Sequence, residues 1–140
     1  MSTKKRSGCP ISLTLELLGD RWTLLIIRDM AFAGKAHFTE FLQSDEKISS
    51  RTLAERLQTL QEEGIVSRQD DPGHKLKLVY CLTEAGMDLL PLLVELGAWG
   101  SRHRDADRDL SQFAEQMKAG GKQAIERKKS ELSSSARSAR

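Results

Sequence analysis

The sequence is short of most things that would commit it to a chemistry. Its 140 residues hold two cysteines, three prolines and one tyrosine, and aromatic residues make up only 5% of the chain. Two cysteines, Cys9 and Cys81, cannot build the disulfide framework of a small secreted scaffold. Neither they nor the scattered His37, His74 and His103 fall at metal-ligand spacing, so no metal and no cofactor is expected. The chain has no Gly-rich phosphate loop, nucleophile elbow or HExxH pattern, which argues against an enzyme. Its apolar runs, such as Leu24 to Ile27, fall far short of the roughly 18 residues of a membrane span. The basic start (Lys4, Lys5, Arg6) leads into a segment punctuated by Glu16, Asp20 and Arg21, not into the apolar stretch of a secretory signal. The expectation is a cytoplasmic protein of one domain, since a chain of this length supports one core and not two.

A formal net charge of +2 hides an uneven distribution. Residues 1–8 carry three basic and no acidic side chains, and residues 118–140 carry seven basic against two acidic, which leaves −6 on the segment between. An acidic body with basic ends suits polyanion binding or simple solubility.

Apolar spacing divides the body into elements. Ile11, Leu15, Leu18, Trp22 and Leu25 follow a helical stripe that Leu18-Gly19-Asp20 is expected to bend or break. Phe38, Phe41 and Leu42 mark a short helix within His37–Gln43, followed by the polar turn Ser44-Asp45-Glu46-Lys47. Ser49 is an N-cap candidate for a second helix with Leu53, Leu57 and Leu60 on one side. The period then changes: Ile65-Val66 opens a strand, Asp70-Asp71-Pro72-Gly73 signals a turn, and Leu76, Leu78, Tyr80 and Leu82 alternate along a second strand. Thr83 caps a further helix, apolar almost all round from Leu89 to Trp99, which Pro91 either kinks or restarts. So apolar a helix at the edge of a small domain points to dimerisation, the alternative being a central helix wrapped by the domain itself. Past Arg104, Leu110, Phe113 and Met117 suit a short helix, Gly120-Gly121 a break and Lys122–Leu132 a charged second helix, with disorder from Ser133.

Helix, turn, helix and hairpin in that order describe a winged helix-turn-helix: mainly α (α+β), with a two-stranded wing and N- and C-terminal dimerisation helices. The domain is expected over residues 9–104, between a basic arm (1–8) and a charged extension (105–140) that is partly helical and then disordered. The second helix would enter the major groove of double-stranded DNA. With the leucines inward, Ser49, Ser50, Arg51, Thr52, Glu55 and Arg56 remain for the outside. Arg51 suits a guanine, the hydroxyls of Ser49, Ser50 and Thr52 suit phosphates, and His74, Lys75 and Lys77 at the hairpin tip suit the DNA backbone or minor groove. Glu55 would repel phosphate unless it reads a cytosine amino group or pairs with Arg51 or Arg56. The same shape serves protein-interaction modules without specific DNA binding.

Several blocks carry a resemblance: Cys9-Pro10, Leu18-Gly19-Asp20-Arg21-Trp22-Thr23-Leu24-Leu25-Ile26-Ile27-Arg28, and Phe38 with Glu40 and Phe41. Ile48-Ser49 with Leu53, Leu57 and Leu60, Gly64-Ile65-Val66 with Arg68, Tyr80 with Leu82-Thr83-Glu84-Ala85-Gly86, and Leu89 to Trp99 complete it. The sequence resembles the HxlR-type transcriptional regulators, winged-helix relatives of the MarR group. The resemblance implies a homodimeric bacterial regulator on a pseudo-palindromic operator, with the first and last family helices as the dimer interface. That places Ile11, Leu15, Leu89, Leu93, Leu96 and Trp99 in the interface, and Arg68 among the DNA-facing residues. The chain departs from the family where His37 replaces the usual arginine as a phosphate contact. It departs again in the wing, where Lys75-Leu76 replaces a common proline pair and Val79 a usual glutamate.

The resemblance also implies a redox role for Cys9, as an N-terminal thiol that responds to oxidants or electrophiles. Pro10 suits the first helical position, which puts Cys9 at a helix N-terminus near Lys4, Lys5 and Arg6, an arrangement that favours thiolate. An inert cysteine at the dimer edge is the plain alternative, and an intersubunit disulfide with Cys81 a further one. A small aromatic effector lodged near Trp22 and Trp99 is another possible signal, although at helical spacing both tryptophans also suit core positions.

Overall fold

The computed structural model describes residues 5–71 and 73–138, with side chains at all of these except 74–76 and 136–138. The expectations for Lys4 and for the side chains of His74, Lys75 and Leu76 therefore lie outside the described residues. Helix α1 (Pro10–Leu18) starts at Pro10 with Cys9 as its N-cap and stops at Gly19, where a Cβ would meet the Leu15 carbonyl oxygen at 2.3 Å. Asp20 then accepts from the amides of Trp22 (2.7 Å) and Thr23 (2.9 Å), so its carboxylate starts α2 (Thr23–Phe32). The expected break thus falls between two separate helices.

The short α3 (Phe38–Phe41) and the longer α4 (Ser50–Glu62) form the helix-turn-helix. Leu53, Leu57 and Leu60 of α4 are fully buried, together with Ile27 of α2 and Phe41 of α3. Strands β1 (Val66–Asp71) and β2 (His74–Leu82) pair antiparallel, Val66 opposite Leu82 and Arg68 opposite Tyr80, with a register shift at Asp70/Asp71. An Asx turn, Gly73 N–H to Asp71 Oδ1 at 2.9 Å, helps close the hairpin. The Tyr80 amide also donates to the Ala36 carbonyl (2.8 Å), which ties the hairpin base to the lead-in of α3. Strict alternation places Leu78 inward, yet it is exposed while Val79 is buried.

Thr83 caps only the short α5 (Glu84–Met87), and Pro91 sits in the first turn of a new helix, α6 (Leu90–His103). Pro91 therefore restarts the helix and does not kink it. α7 (Arg108–Ser138) runs back antiparallel along α6, bent at Gly121, whose φ of +58° lies in the left-handed region that glycine tolerates. Phe113 packs edge-on against Phe32 (5.5 Å between centroids), and Ile125 enters the core. Instead of the disorder expected from Ser133, the helix continues to Ser138: Leu132 packs against the core, and the Ser133 hydroxyl reaches Met87 sulfur at 3.8 Å. Among the described residues, no helix is long and apolar enough to cross a membrane.

Candidate nucleic-acid interface

α4 is placed by what holds its preceding turn. Asp29, buried in α2, accepts from Arg28 (Nη2 at 2.8 Å) and from the Ser44 hydroxyl, and pairs with Lys35 at 3.5 Å. The Arg28 guanidinium also takes both Glu46 carboxylate oxygens at 2.8 Å. Ser44 and Glu46 belong to the polar turn, so one α2 arginine and one buried carboxylate fix the approach to α4. The bidentate contact with Arg28 holds the Glu46 carboxyl down to about 2, and the same contact raises the Arg28 pKa further above its ordinary value. Spacing alone does not reveal this network, because Arg28 and Glu46 stand 18 residues apart.

Ser49 caps α4 as expected, its hydroxyl accepting from the Thr52 amide at 3.1 Å and donating to the Thr52 hydroxyl at 3.0 Å. Those hydroxyls thus have partners inside the first turn, while Ser50 is exposed beside them. Arg51 projects into solvent with its side chain 90% exposed, and its Nε donates to Glu55 Oε1 at 3.3 Å. Of the alternatives open for Glu55, the structure shows the pairing with Arg51. Arg68 on β1 and Lys77 on β2 are exposed as well, giving the hairpin two described cations.

Two residues of the expected DNA-facing set turn inward instead. Arg56 is half-buried against Asp20, 3.6 Å from Oδ1, which links α4 to the start of α2. Partial burial raises the Asp20 carboxyl, but hydrogen bonds from the Thr23 hydroxyl and amide and from the Trp22 amide, with Arg56 beside them, outweigh it and hold the group below its ordinary value. His37 is clamped: Nε2 lies 2.8 Å from Asp71 at the end of β1, and Nδ1 lies 2.9 Å from Glu40 in α3. The bond to Asp71 and then that to Glu40 raise the imidazole pKa. Both ring nitrogens already have carboxylate partners, so His37 anchors the wing to α3 and offers no donor to a phosphate. Conversely, Ala54, Gln58 and Lys47 are exposed on or beside α4 and escaped the sequence expectation. Counting three and seven residues on from Arg51 would have found the first two.

The apolar surface expected to join two copies is divided. Ile11 (72%), Leu15 (58%), Leu96 (48%) and Trp99 (60%) are exposed, with Leu13 and Leu92 beside them. Leu89 and Leu93 instead pack against the domain's own core. A helix apolar on every side can serve both roles: Leu90, Val94 and Ala98 are the buried face of α6, while Leu92, Leu96 and Trp99 are its open face. Cys9 is exposed at the N-terminus of α1 and Cys81 is half-buried on β2. A small surface depression beside Trp22 is lined by Phe41, Ile48, Asp29, Ser44 and Glu46; Trp99 is absent from it.

A family model, the HxlR-like helix-turn-helix, matches residues 17–108. The chain is 34% identical over 110 residues to the HTH-type transcriptional regulator YybR of Bacillus subtilis, covering 75% of this chain and 87% of that protein. Among solved structures it resembles the redox regulator HypR in its oxidized form, with TM-score 0.61 and 33% identity, over 70% of this chain and all of HypR. It also resembles the quinone-bound transcriptional regulator YodB from B. subtilis, with TM-score 0.54 and 36% identity, over 67% of this chain and 99% of YodB. The family match ends where α7 begins.

Proposed function

Because the chain belongs to the HxlR-like helix-turn-helix family and is a transcriptional regulator of that type, we propose that it acts as a cytoplasmic homodimer on a pseudo-palindromic double-stranded DNA operator, by binding and not by catalysis. The observation that carries this reading is α4, capped by Ser49, with its preceding turn held to α2 through Arg28–Glu46 and Asp29–Ser44 and its outer face open to solvent. Beside it stands a hairpin bearing Arg68 and Lys77. A helix of this width fits the major groove, and the wing cations suit phosphates on either side. Two copies related by a two-fold axis would address half-sites about one helical turn apart, roughly 34 Å.

The second copy is supported by α1 and α6. Nine residues are too few for a helix that stands alone in water, and α1 buries only Leu18 while Ile11, Leu13 and Leu15 face solvent. Fluorescence anisotropy with duplex DNA tests the binding: affinity should fall steeply and log-linearly as salt rises. Affinity that is absent or independent of salt would instead favour a protein-interaction module. Sedimentation of the free protein tests the dimer, which Ile11→Glu with Trp99→Glu should dissociate.

The exposure of Cys9 at a helix N-terminus favours a second element, in which oxidation or alkylation of its thiol switches operator affinity. A redox relative and a quinone-bound one fit that reading. Mass spectrometry of diamide- and quinone-treated protein should find Cys9 modified, and Cys9→Ser should keep full operator affinity under both treatments. An unmodified Cys9, or equal inhibition of the serine variant, removes the switch.

A further inference from the structure

The outer stripe of α4 is wired in a way that DNA binding in general does not require. At about 100° per residue, Arg51, Glu55, Gln58 and Glu62 fall in a sector roughly 60° wide, across the helix from Leu53, Leu57 and Leu60. Each donor in the stripe is held by the carboxylate four residues on. Arg51 Nε donates to Glu55 at 3.3 Å, and Gln58 Nε2 donates to Glu62 Oε1 at 3.1 Å. All four residues are exposed, and one arginine against two glutamates makes the face that would meet DNA net negative. Glu62 also stands at the C-terminal end of α4, where an acid opposes the helix dipole, so helix stability does not account for it. The cations suited to phosphate lie off the stripe, at Lys47, Arg68 and Lys77.

Resting on the DNA-binding reading above, we propose that Arg51 and Gln58 read a guanine and an adenine about three base-pair steps apart in each half-site, with Glu55 and Glu62 as positioning residues that exclude phosphate. Arginine pairs bidentately with guanine O6 and N7, and glutamine with adenine N6 and N7. A guanine contact through both Nη atoms leaves Arg51 Nε on Glu55, and the Gln58 amide has a second N–H for the base. Seven residues of helix rise about 10.5 Å, the length of roughly three base-pair steps. The carboxylates keep both donors aimed into the groove and weaken contact with any backbone, so affinity is exchanged for discrimination.

Selection from random duplexes with the full-length protein and the variants Arg51→Ala, Gln58→Ala and Glu55→Gln tests this. Wild type should select the two bases at that spacing. Arg51→Ala should lose preference at the guanine alone and Gln58→Ala at the adenine alone, each by about tenfold or more. Glu55→Gln should bind arbitrary duplex several-fold more tightly while discriminating less. Equal affinity losses on every sequence would overturn the assignment, as would a Glu55→Gln effect confined to one cytosine position. A wild-type protein that binds DNA with a normal salt slope but selects no sequence overturns this inference and leaves the general reading standing. One that binds no DNA removes both. All three positions are exposed, and unchanged thermal melting of the variants shows that the fold is not what moved.

Discussion

Helices α4 and α7 both place leucine-type residues among charged ones, and they aim their charges in opposite directions. On the outer stripe of α4 the bonded pairs are internal to the helix, Arg51 with Glu55 and Gln58 with Glu62, which leaves that face turned to solvent. On α7 one pair, Lys128 with Glu131, is internal, while three reach across towards α5 and α6: Glu115 to Arg102, Lys118 to Glu95, Lys129 to Asp88 beside α5. Lys128 lies 5.8 Å above the Phe32 ring. The split between an acidic body and a basic C-terminal end therefore has a use inside the molecule. Charge composition alone cannot distinguish a ligand-facing helix from a structural strap; what a charge is paired with can.

Ile125→Ala probes that contrast with the largest effect expected of a single substitution. Ile125 is buried where α7 meets the core, and its truncation should cost about 2–3 kcal/mol in a urea or thermal melt. Arg51→Ala on α4 should stay within about 0.5 kcal/mol of wild type in the same melt. Equal, small losses would mean that α7 is not a strap at all. Deleting residues 108–140 should be harsher, since Phe32 loses its ring partner and part of the core is uncovered.

Arg28→Ala sharpens the other side. It removes the bidentate grip on Glu46 and one partner of buried Asp29, with Lys35 and Ser44 left as partial compensation, and should cost about 1–2 kcal/mol. Operator affinity should fall by more than this loss of stability explains, because the turn that aims α4 loosens. If melting drops while affinity per folded molecule is unchanged, the network stabilises the fold without setting the aim of α4.

What the sequence made legible was local. Leu53, Leu57 and Leu60 repeat within two turns, Ser49 caps the helix it precedes, Gly19 stops α1, and Asp70 to Gly73 marks the hairpin turn. What stayed illegible depended on distant partners. His37 meets Asp71 34 residues away, and Lys129 meets Asp88 41 residues away. Residue type alone makes His37 and Arg56 look like phosphate contacts; only the fold shows the carboxylates already beside them. Leu89 and Leu93 could not be assigned to core or interface from the pattern, because α6 offers apolar residues in every direction and packing selects the face.

The smallest effect concerns the wing, where His37 joins α3 to β1. Its imidazole pKa is raised above the ordinary 6.5 by the bond to Asp71 and then by that to Glu40. A raised folded-state value makes its contribution to stability complete below about pH 6.5, and that contribution is lost as pH rises through the folded value. Glu40 has other bonds, accepting from the Ala36 (3.0 Å) and His37 (2.8 Å) amides, and those do not depend on the imidazole charge. Deprotonation leaves one ring N–H for two carboxylates, so it should loosen the clamp on Asp71 and Glu40 while the start of α3 stays intact. Wild type compared with His37→Asn by denaturation from pH 5.5 to 8.5 should differ most at the acid end, with the difference shrinking as pH rises. Amide protection along β1, taken relative to intrinsic exchange at each pH, should fall over the same interval while protection in α4 stays flat. Protection falling equally in α4 would mean that the wing and the recognition helix are one mechanical unit, and that the solvent-facing half of the molecule is held together from the hairpin as well as from Arg28.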